Sequence, residues 1–399
     1  MKKRFVVVGA SAASIAFITK LRTIDSSSEV ICISGESDIP YNRCLLADYI
    51  SQETSLQEME LKSQDFFKEQ SIDLRLKTWV KKIDTKQNKV FIQDESIEYD
   101  YLFLGTGTRP HMPDVGVSAS DPGIFTFHTA DDVRRLSDFI EKEKPINTLV
   151  VGAGLNGIEC ASALHDRGVA VSLIERASHV LPLQVDNELA EYVQSILQHK
   201  GIGLFLNHAV VQICKNNNVV QSVKLDSGAA IATDCIVFAT GSLVNAELLE
   251  GTGIKTRNGS IIVDNTMKTS IDNVYAGGDI CILQDVVTKE LVQSTTWPDA
   301  MLQGLCAATR FSDKQRSYPG FVGLRDSKFF GYPFYACGKT VHHESDVEEI
   351  LHPGMDSFIK LYLQNNRLKG FVLIGDISKV AEYKRLYLTQ QEVSKSDLL

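Results

Sequence analysis

The stretch 147–175, NTLVVGAGLNGIECASALHDRGVAVSLIE, decides how this chain folds. Asn147-Thr148-Leu149-Val150-Val151 is a short apolar, β-branched run of the kind a buried parallel strand requires. Gly152-Ala153-Gly154-Leu155-Asn156-Gly157 follows, and Ile158 to Leu164 then repeats its apolar residues at helical spacing. Val169 to Ile174 reads as a second strand that ends in Glu175. Each part has a task in holding a dinucleotide. Gly152 allows the tight turn, Gly154 lets the backbone approach a pyrophosphate, and Gly157 lets the helix pack against the strand. The helix start at Leu155 and Asn156 supplies free N–H groups and a positive dipole end for the phosphates. Glu175, 18 residues beyond Gly157, can accept hydrogen bonds from ribose hydroxyls. Glycines alone would be a weak signal. Strand, glycines, helix, strand and acid in that order carry the reading.

The unit occurs twice. Phe5-Val6-Val7-Val8 is the first strand, and Gly9-Ala10-Ser11-Ala12-Ala13-Ser14 keeps one glycine and fills the later places with small residues. Ser11 can itself donate to a phosphate, and Ala12 and Ala13 permit a close approach. The helix opening here is expected to be amphipathic, with Lys20 and Arg22 on its polar side. Val30 to Ile33 and then Glu36 complete the copy. Downstream, Tyr101 to Leu104 breaks into a turn containing Thr106, Gly107 and Arg109, and Cys235 to Phe238 repeats the idea up to Gly241. Asn273-Val274-Tyr275-Ala276 runs into Gly277-Gly278-Asp279. Two such sites in one chain suggest two dinucleotides.

Composition bounds the function. The 399 residues carry 41 Lys+Arg against 50 Asp+Glu, a formal charge of −9, which argues against a nucleic-acid surface. A hydrophobic fraction of 44% and a charged fraction of 23% are those of an ordinary globular protein of two or three domains. The eight cysteines form no CxxC, which disfavours a disulfide scaffold, a zinc site or an iron–sulfur site, and no metal is expected. No run reaches the ~18 apolar residues of a membrane span. Met1-Lys2-Lys3-Arg4 leads directly into a strand, so it is read as mature fold, with a cytoplasmic location as the default.

These motifs resemble the two-dinucleotide flavoproteins of the pyridine nucleotide–disulfide oxidoreductase type, from Gly9 to about Gly304. The resemblance implies an α/β chain with two Rossmann-like dinucleotide-binding domains and a small α+β C-terminal domain. An FAD domain would span 1–113 and 241–312, an NAD(P) domain 114–240, and an interface domain 313–399 that forms a homodimer in relatives. The first copy would bind FAD, with Glu36 on the adenosine ribose and Ser34 as the alternative. Asp279 would hold the ribityl chain. Thr296 reads as the N-cap of a helix with Pro298 and Asp299 in its first turn. In relatives the helix that starts at Trp297 aims its N-terminus at the flavin pyrimidine. Glu159 lies near the bound nicotinamide in relatives; a solvated helix-start acid is the other reading. Glu175 favours NADH, because a carboxylate repels the 2′-phosphate of NADPH, although Arg167 and Arg176 could accommodate it.

Pro40-Tyr41-Asn42-Arg43-Cys44 poses the sharpest question. Coenzyme A-disulfide reductases and NADH oxidases or peroxidases carry a redox-active cysteine here, and Cys44 aligns with it. Arg43 and a helix start could lower its thiol pKa. Tyr-Asn-Arg also occurs in rubredoxin reductases and the flavin portion of nitrite reductases, which need no such cysteine. The expected activity is therefore hydride transfer from NADH to FAD and onward to an acceptor, either a small redox protein such as rubredoxin or ferredoxin, or a Cys44-dependent disulfide, peroxide or oxygen. A third reading is an NADH-sensing flavoprotein that acts through a partner. In the C-terminal part, Tyr335 to Val341, Ser357 to Leu363 and Lys369 to Asp376 are predicted strands, with a turn at Asn365-Asn366 and a helix over 378–392.

Overall fold

The computed structural model describes residues 2–93, 95–341, 347–354, 356–394 and 398. They form two compact units: residues 1–44, 56–109 and 243–323, and residues 45–55, 110–242 and 324–399.

The first unit is built on a five-stranded parallel sheet. Its order is Val274–Ala276, Tyr101–Leu104, Arg4–Val8, Glu29–Ile33, Ile72–Arg75. Phe5 to Val8 are buried on both faces, which is why this strand is continuously apolar rather than alternating. The chain steps from Arg4–Val8 to one neighbour and later returns on the other side, in parallel register on both. The carboxyl end of this strand is thus the switch point where open α/β sheets bind ligands. Helix Ala12–Ile24 starts there. It is buried almost all round, not amphipathic as expected. Arg22 lies inside, donating to the carbonyls of Asp25, Gln70 and Ser71 and to Ser28 Oγ, so its charge closes loop backbones instead of facing water. Helix Trp297–Thr309 packs across it. Gly304 makes this contact possible, since a Cβ there would stand 1.9 Å from the Ala13 carbonyl oxygen.

The second unit repeats the plan. Its parallel sheet runs Gly203–Leu206, Val171–Glu175, Thr148–Val151, Cys235–Phe238, Ile124–Thr126, with the switch point at the end of Thr148–Val151. The same unit contains a five-stranded antiparallel sheet in the order Arg325–Phe329, Tyr332–Gly338, Arg367–Ile374, Phe358–Gln364, Glu348–Pro353, packed by helix Val380–Thr389. Asn365 and Asn366 both take positive φ, as a tight hairpin turn demands. The helix ends at Thr389, three residues short of the expected Glu392, where its C-cap Gln390 adopts the left-handed conformation.

Candidate functional site: two glycine turns at sheet switch points

In the first unit Gly9 has φ +94°, and a Cβ there would lie 2.2 Å from the Gly105 carbonyl oxygen, so only glycine fits. Ser11 occupies the N-cap position of the next helix without capping it, and no acid stands in the first turn. The helix start therefore keeps free N–H groups and an uncompensated positive end. Ala12 and Ala13 are buried behind it. A small polar pocket opens here, lined by Ala10, Ser11, Ser34, Glu36, Pro40 and Arg43, among others. Glu36 accepts from the Tyr41 hydroxyl at 2.6 Å and pairs with the Arg43 guanidinium, while Arg43 Nε reaches Ser11 Oγ at 3.4 Å. Ser34 Oγ instead accepts from the Glu36 backbone N–H, so Ser34 shapes the loop and Glu36 carries the charge. Tyr41 entered the sequence reading only within the Tyr-Asn-Arg motif, and Trp79 was not singled out. Trp79 is 69% exposed and lies against the bare backbone of Gly35, beside the pocket; Gly35 is distant in sequence, so nothing local marked this contact.

Asp279 follows Gly278 in the same unit. Its carboxylate accepts no hydrogen bond from the described residues, and burial pushes it up to about 6 against the opposing pull of Arg43. The Gly278 N–H donates to Gln303 Oε1 at 2.7 Å, and Gln303 Nε2 donates to Ser294 Oγ at 2.9 Å. Gln303, fully buried, thereby pins the Gly-Gly-Asp turn to helix Trp297–Thr309. Thr296 sits at the N-cap, but its hydroxyl donates to Asp299 Oδ2 at 2.6 Å rather than accepting a cap bond, and the Tyr318 hydroxyl donates to the other oxygen. Trp297 is half-buried against the core. Thr106 and Gly107 offer their carbonyls to Asn245, and Arg109 pairs with Glu247.

In the second unit Gly152 has φ +105°, with Ala239 playing the part of Gly105. Gly154 is the N-cap of helix Leu155–Asp166, and Leu155 and Asn156 form its first turn. Gly157 sits on the Gly152 carbonyl, leaving no room for a side chain. Glu175 accepts from the backbone N–H groups of Ala153 and Ala177, each at 2.9 Å, which places it beside the glycine turn. Arg167 is committed elsewhere, to Ser137 Oγ at 2.7 Å and Glu141 at 3.2 Å. Gly241, at φ +90°, accepts from the His111 N–H through its carbonyl. Glu159 Oε1 accepts from Ser327 Oγ at 2.5 Å. Burial pushes its carboxyl up to about 7; the Ser327 hydroxyl opposes the shift, and Asp326 and Asp48 add to it.

Cys44 lies in the short 3-10 turn Arg43–Leu45, exposed, with its N–H donating to Asn42 Oδ1. Of the eight cysteines only Cys44 and Cys214 are exposed; Cys160 and Cys281 are buried and their thiols are held far above the ordinary range by that burial. Among the described residues no group of three or more His, Cys, Asp or Glu could hold a metal, and no helix is long and apolar enough to cross a membrane.

Two Rossmann-type folds, each with a glycine turn and a carboxylate at its switch point, define an NAD(P)H-dependent oxidoreductase. Residues 3–304 match the family described as pyridine nucleotide-disulphide oxidoreductase, and the chain belongs to that family. It is 31% identical over 344 residues to the NADH oxidase of Methanocaldococcus jannaschii, covering 84% of this chain and 76% of that one. It is 29% identical to the 3-phenylpropionate/cinnamic acid dioxygenase ferredoxin–NAD(+) reductase component of Photorhabdus laumondii, over 98% of this chain and 97% of that one. In fold it matches a NAD-dependent persulfide reductase from A. fulgidus with a TM-score of 0.91 at 23% identity, over 98% of this chain and 77% of that one.

Proposed function

We propose that this chain takes hydride from NADH onto a bound FAD and passes electrons to a small redox protein such as a ferredoxin or rubredoxin. The observation that carries the reading is Asp279, a half-buried carboxylate that accepts no hydrogen bond from the described residues, in the same unit as a glycine turn with a bare helix start. A polyol and pyrophosphate fit that cradle, since their hydroxyls and oxygens satisfy groups the protein leaves open. When bound, the flavin supplies the two-electron to one-electron conversion that a nicotinamide donor and an iron–sulfur acceptor require. FAD belongs to residues 1–113 and 241–312, NADH to 114–240, with 313–399 as the C-terminal domain.

Ser11 and the first turn of helix Ala12–Ile24 hold phosphate, Glu36 takes the ribose hydroxyls, and Arg43 orients Glu36 and balances its charge. The N-terminus of helix Trp297–Thr309, held by Gln303 and Thr296, presents its positive end to negative charge on the reduced ring. In the second unit Glu175, fixed by two backbone N–H groups, accepts from the adenosine ribose and repels a 2′-phosphate. Because Arg167 is engaged by Ser137 and Glu141, NADH is the donor favoured over NADPH. The near end-to-end similarity to a ferredoxin–NAD(+) reductase component supports this choice of acceptor.

The exposure of Cys44 favours a second reading, in which its thiol relays electrons to a disulfide, peroxide or oxygen. Anaerobic titration with NADH separates the two. Uptake of two electrons, with turnover accelerated by an iron–sulfur protein and unchanged in Cys44→Ser, is the expected result. Uptake of four electrons, two on the flavin and two reducing an oxidised Cys44 held as a sulfenic acid or as a mixed disulfide with a small thiol, and turnover lost in Cys44→Ser while flavin reduction survives, would establish the second reading. A protein that retains no flavin after reconstitution would overturn both.

A further inference from the structure

Helix Leu155–Asp166 opens at the nicotinamide-side glycine turn, and the first hairpin of the antiparallel sheet lies along it at three successive positions. Ser327 Oγ donates to Glu159 Oε1 at 2.5 Å, the Phe330 N–H donates to Ser162 Oγ at 2.7 Å, and the His165 ring meets the Phe330 ring edge-on at 5.4 Å. Positions 159, 162 and 165 share one helix face. The side chain of Glu159 has no hydrogen-bond partner other than Ser327 among the described residues.

We infer that Ser327 is a positioning residue for the nicotinamide, its hydroxyl holding one oxygen of Glu159 so that the other is presented in a fixed orientation to the carboxamide of the bound nucleotide. This rests on the reading that Glu159 lies beside the nicotinamide. A glutamate has three rotatable bonds, and without a partner its carboxyl would spread over several rotamers. The hydroxyl removes that freedom and favours the ionised form, which accepts from the carboxamide N–H₂. The charged groups that face Glu159 are Asp48 on helix Leu46–Ile50 and Asp326 on strand Arg325–Phe329; Lys328 on the same strand acts on Asp48. On its own helix Cys160 stays neutral. Burial first, and then these two carboxylates, oppose ionisation of Glu159, and the hydroxyl of Ser327 favours it.

The test is equilibrium binding of NAD⁺ to the oxidised holoenzyme by titration calorimetry from pH 5.5 to 8.5, with the heat measured in two buffers to count protons. Native protein should show one pH-dependent step with a midpoint near 7, absent from Glu159→Gln. Ser327→Ala should move the midpoint upward by at least half a unit and weaken binding about fivefold at pH 7. Ser327→Thr, which keeps the hydroxyl, should restore both. A step that disappears in Glu159→Gln but keeps its native midpoint in Ser327→Ala would overturn the inference and leave Glu159 in place. A Thr variant displaced as far as Ala would also overturn it, since side-chain volume and not the hydroxyl would then matter. A step that survives Glu159→Gln would overturn the placement of Glu159, and with it the role of Ser327.

Discussion

Glu36, Asp279 and Glu159 are three carboxyl groups that the fold treats differently. Glu36 is matched by Arg43 and Tyr41 and stays on the pocket rim. Asp279 has Arg43 as its charge neighbour but accepts no hydrogen bond from the described residues, and burial raises it to about 6. A raised pKa means the neutral form is favoured in the folded protein, so this carboxylate costs stability as pH rises through 6. Hydroxyl donors from a bound flavin would reverse the cost. Affinity of the apoprotein for FAD should then fall about fivefold to tenfold between pH 7 and pH 5, as read by quenching of flavin fluorescence, with Asp279→Asn nearly flat over that range. Both Glu36 and Asp279 could be picked out in the sequence because each follows the end of an apolar strand by three positions. Tyr41 and Arg43 were quoted, but the contacts that join them to Glu36 come from a loop folding back, which no periodicity encodes.

At the scale of elements, the decisive contact is between helix Trp297–Thr309 and the turn at Gly278. Thr296, Pro298 and Asp299 announced the start of this helix correctly, since caps and first-turn prolines act locally. Gln303 was invisible as a site residue because a glutamine within a helix carries no pattern. In the fold it is fully buried and satisfies both the Gly278 N–H and Ser294 Oγ. Gln303→Leu has similar volume but strands these two polar groups, at a cost of about 2–3 kcal/mol. It should lower the urea midpoint and release the Gly-Gly-Asp turn, so that FAD is lost on gel filtration while NAD⁺ binding to the second unit survives. The outer strands Arg325–Phe329 and Glu348–Pro353 escaped the sequence reading for a related reason. Each is short and charged, as sheet edges tend to be, and neither looks like a buried run.

Over the whole molecule, each unit carries its own parallel sheet, and in the second unit the antiparallel sheet is tied to the nucleotide fold through a buried lysine. Lys360, 2% exposed, meets Asp186 at 2.6 Å and Glu188 and Glu349 at 2.8 Å, and the Tyr362 hydroxyl donates to Asp186. Asp186 also caps helix Asn187–His199, so one ammonium joins a helix start to two strands. Its partners hold Lys360 above the ordinary lysine range. Lys360→Met fills the volume but leaves carboxylates unpaired. Because Glu188 and Glu349 are near half-exposed, the cost is about 2–3 kcal/mol, below that of a fully buried pair. Urea denaturation should show this loss, with part of it regained when Glu349→Gln is added. The sequence by itself determined the doubled βαβ plan, both glycine turns and the family, because hydrophobic period and tight-turn glycines are local demands on the backbone. Only the tertiary structure decided that Arg22 is internal, that Gln303 and Lys360 are pins and that Ser327 meets Glu159. The pairings of Gln303 with Gly278, Ser327 with Glu159 and Lys360 with Asp186 join residues 25 to 174 positions apart, and the internal Arg22 sets charge against burial; neither leaves a mark on local sequence.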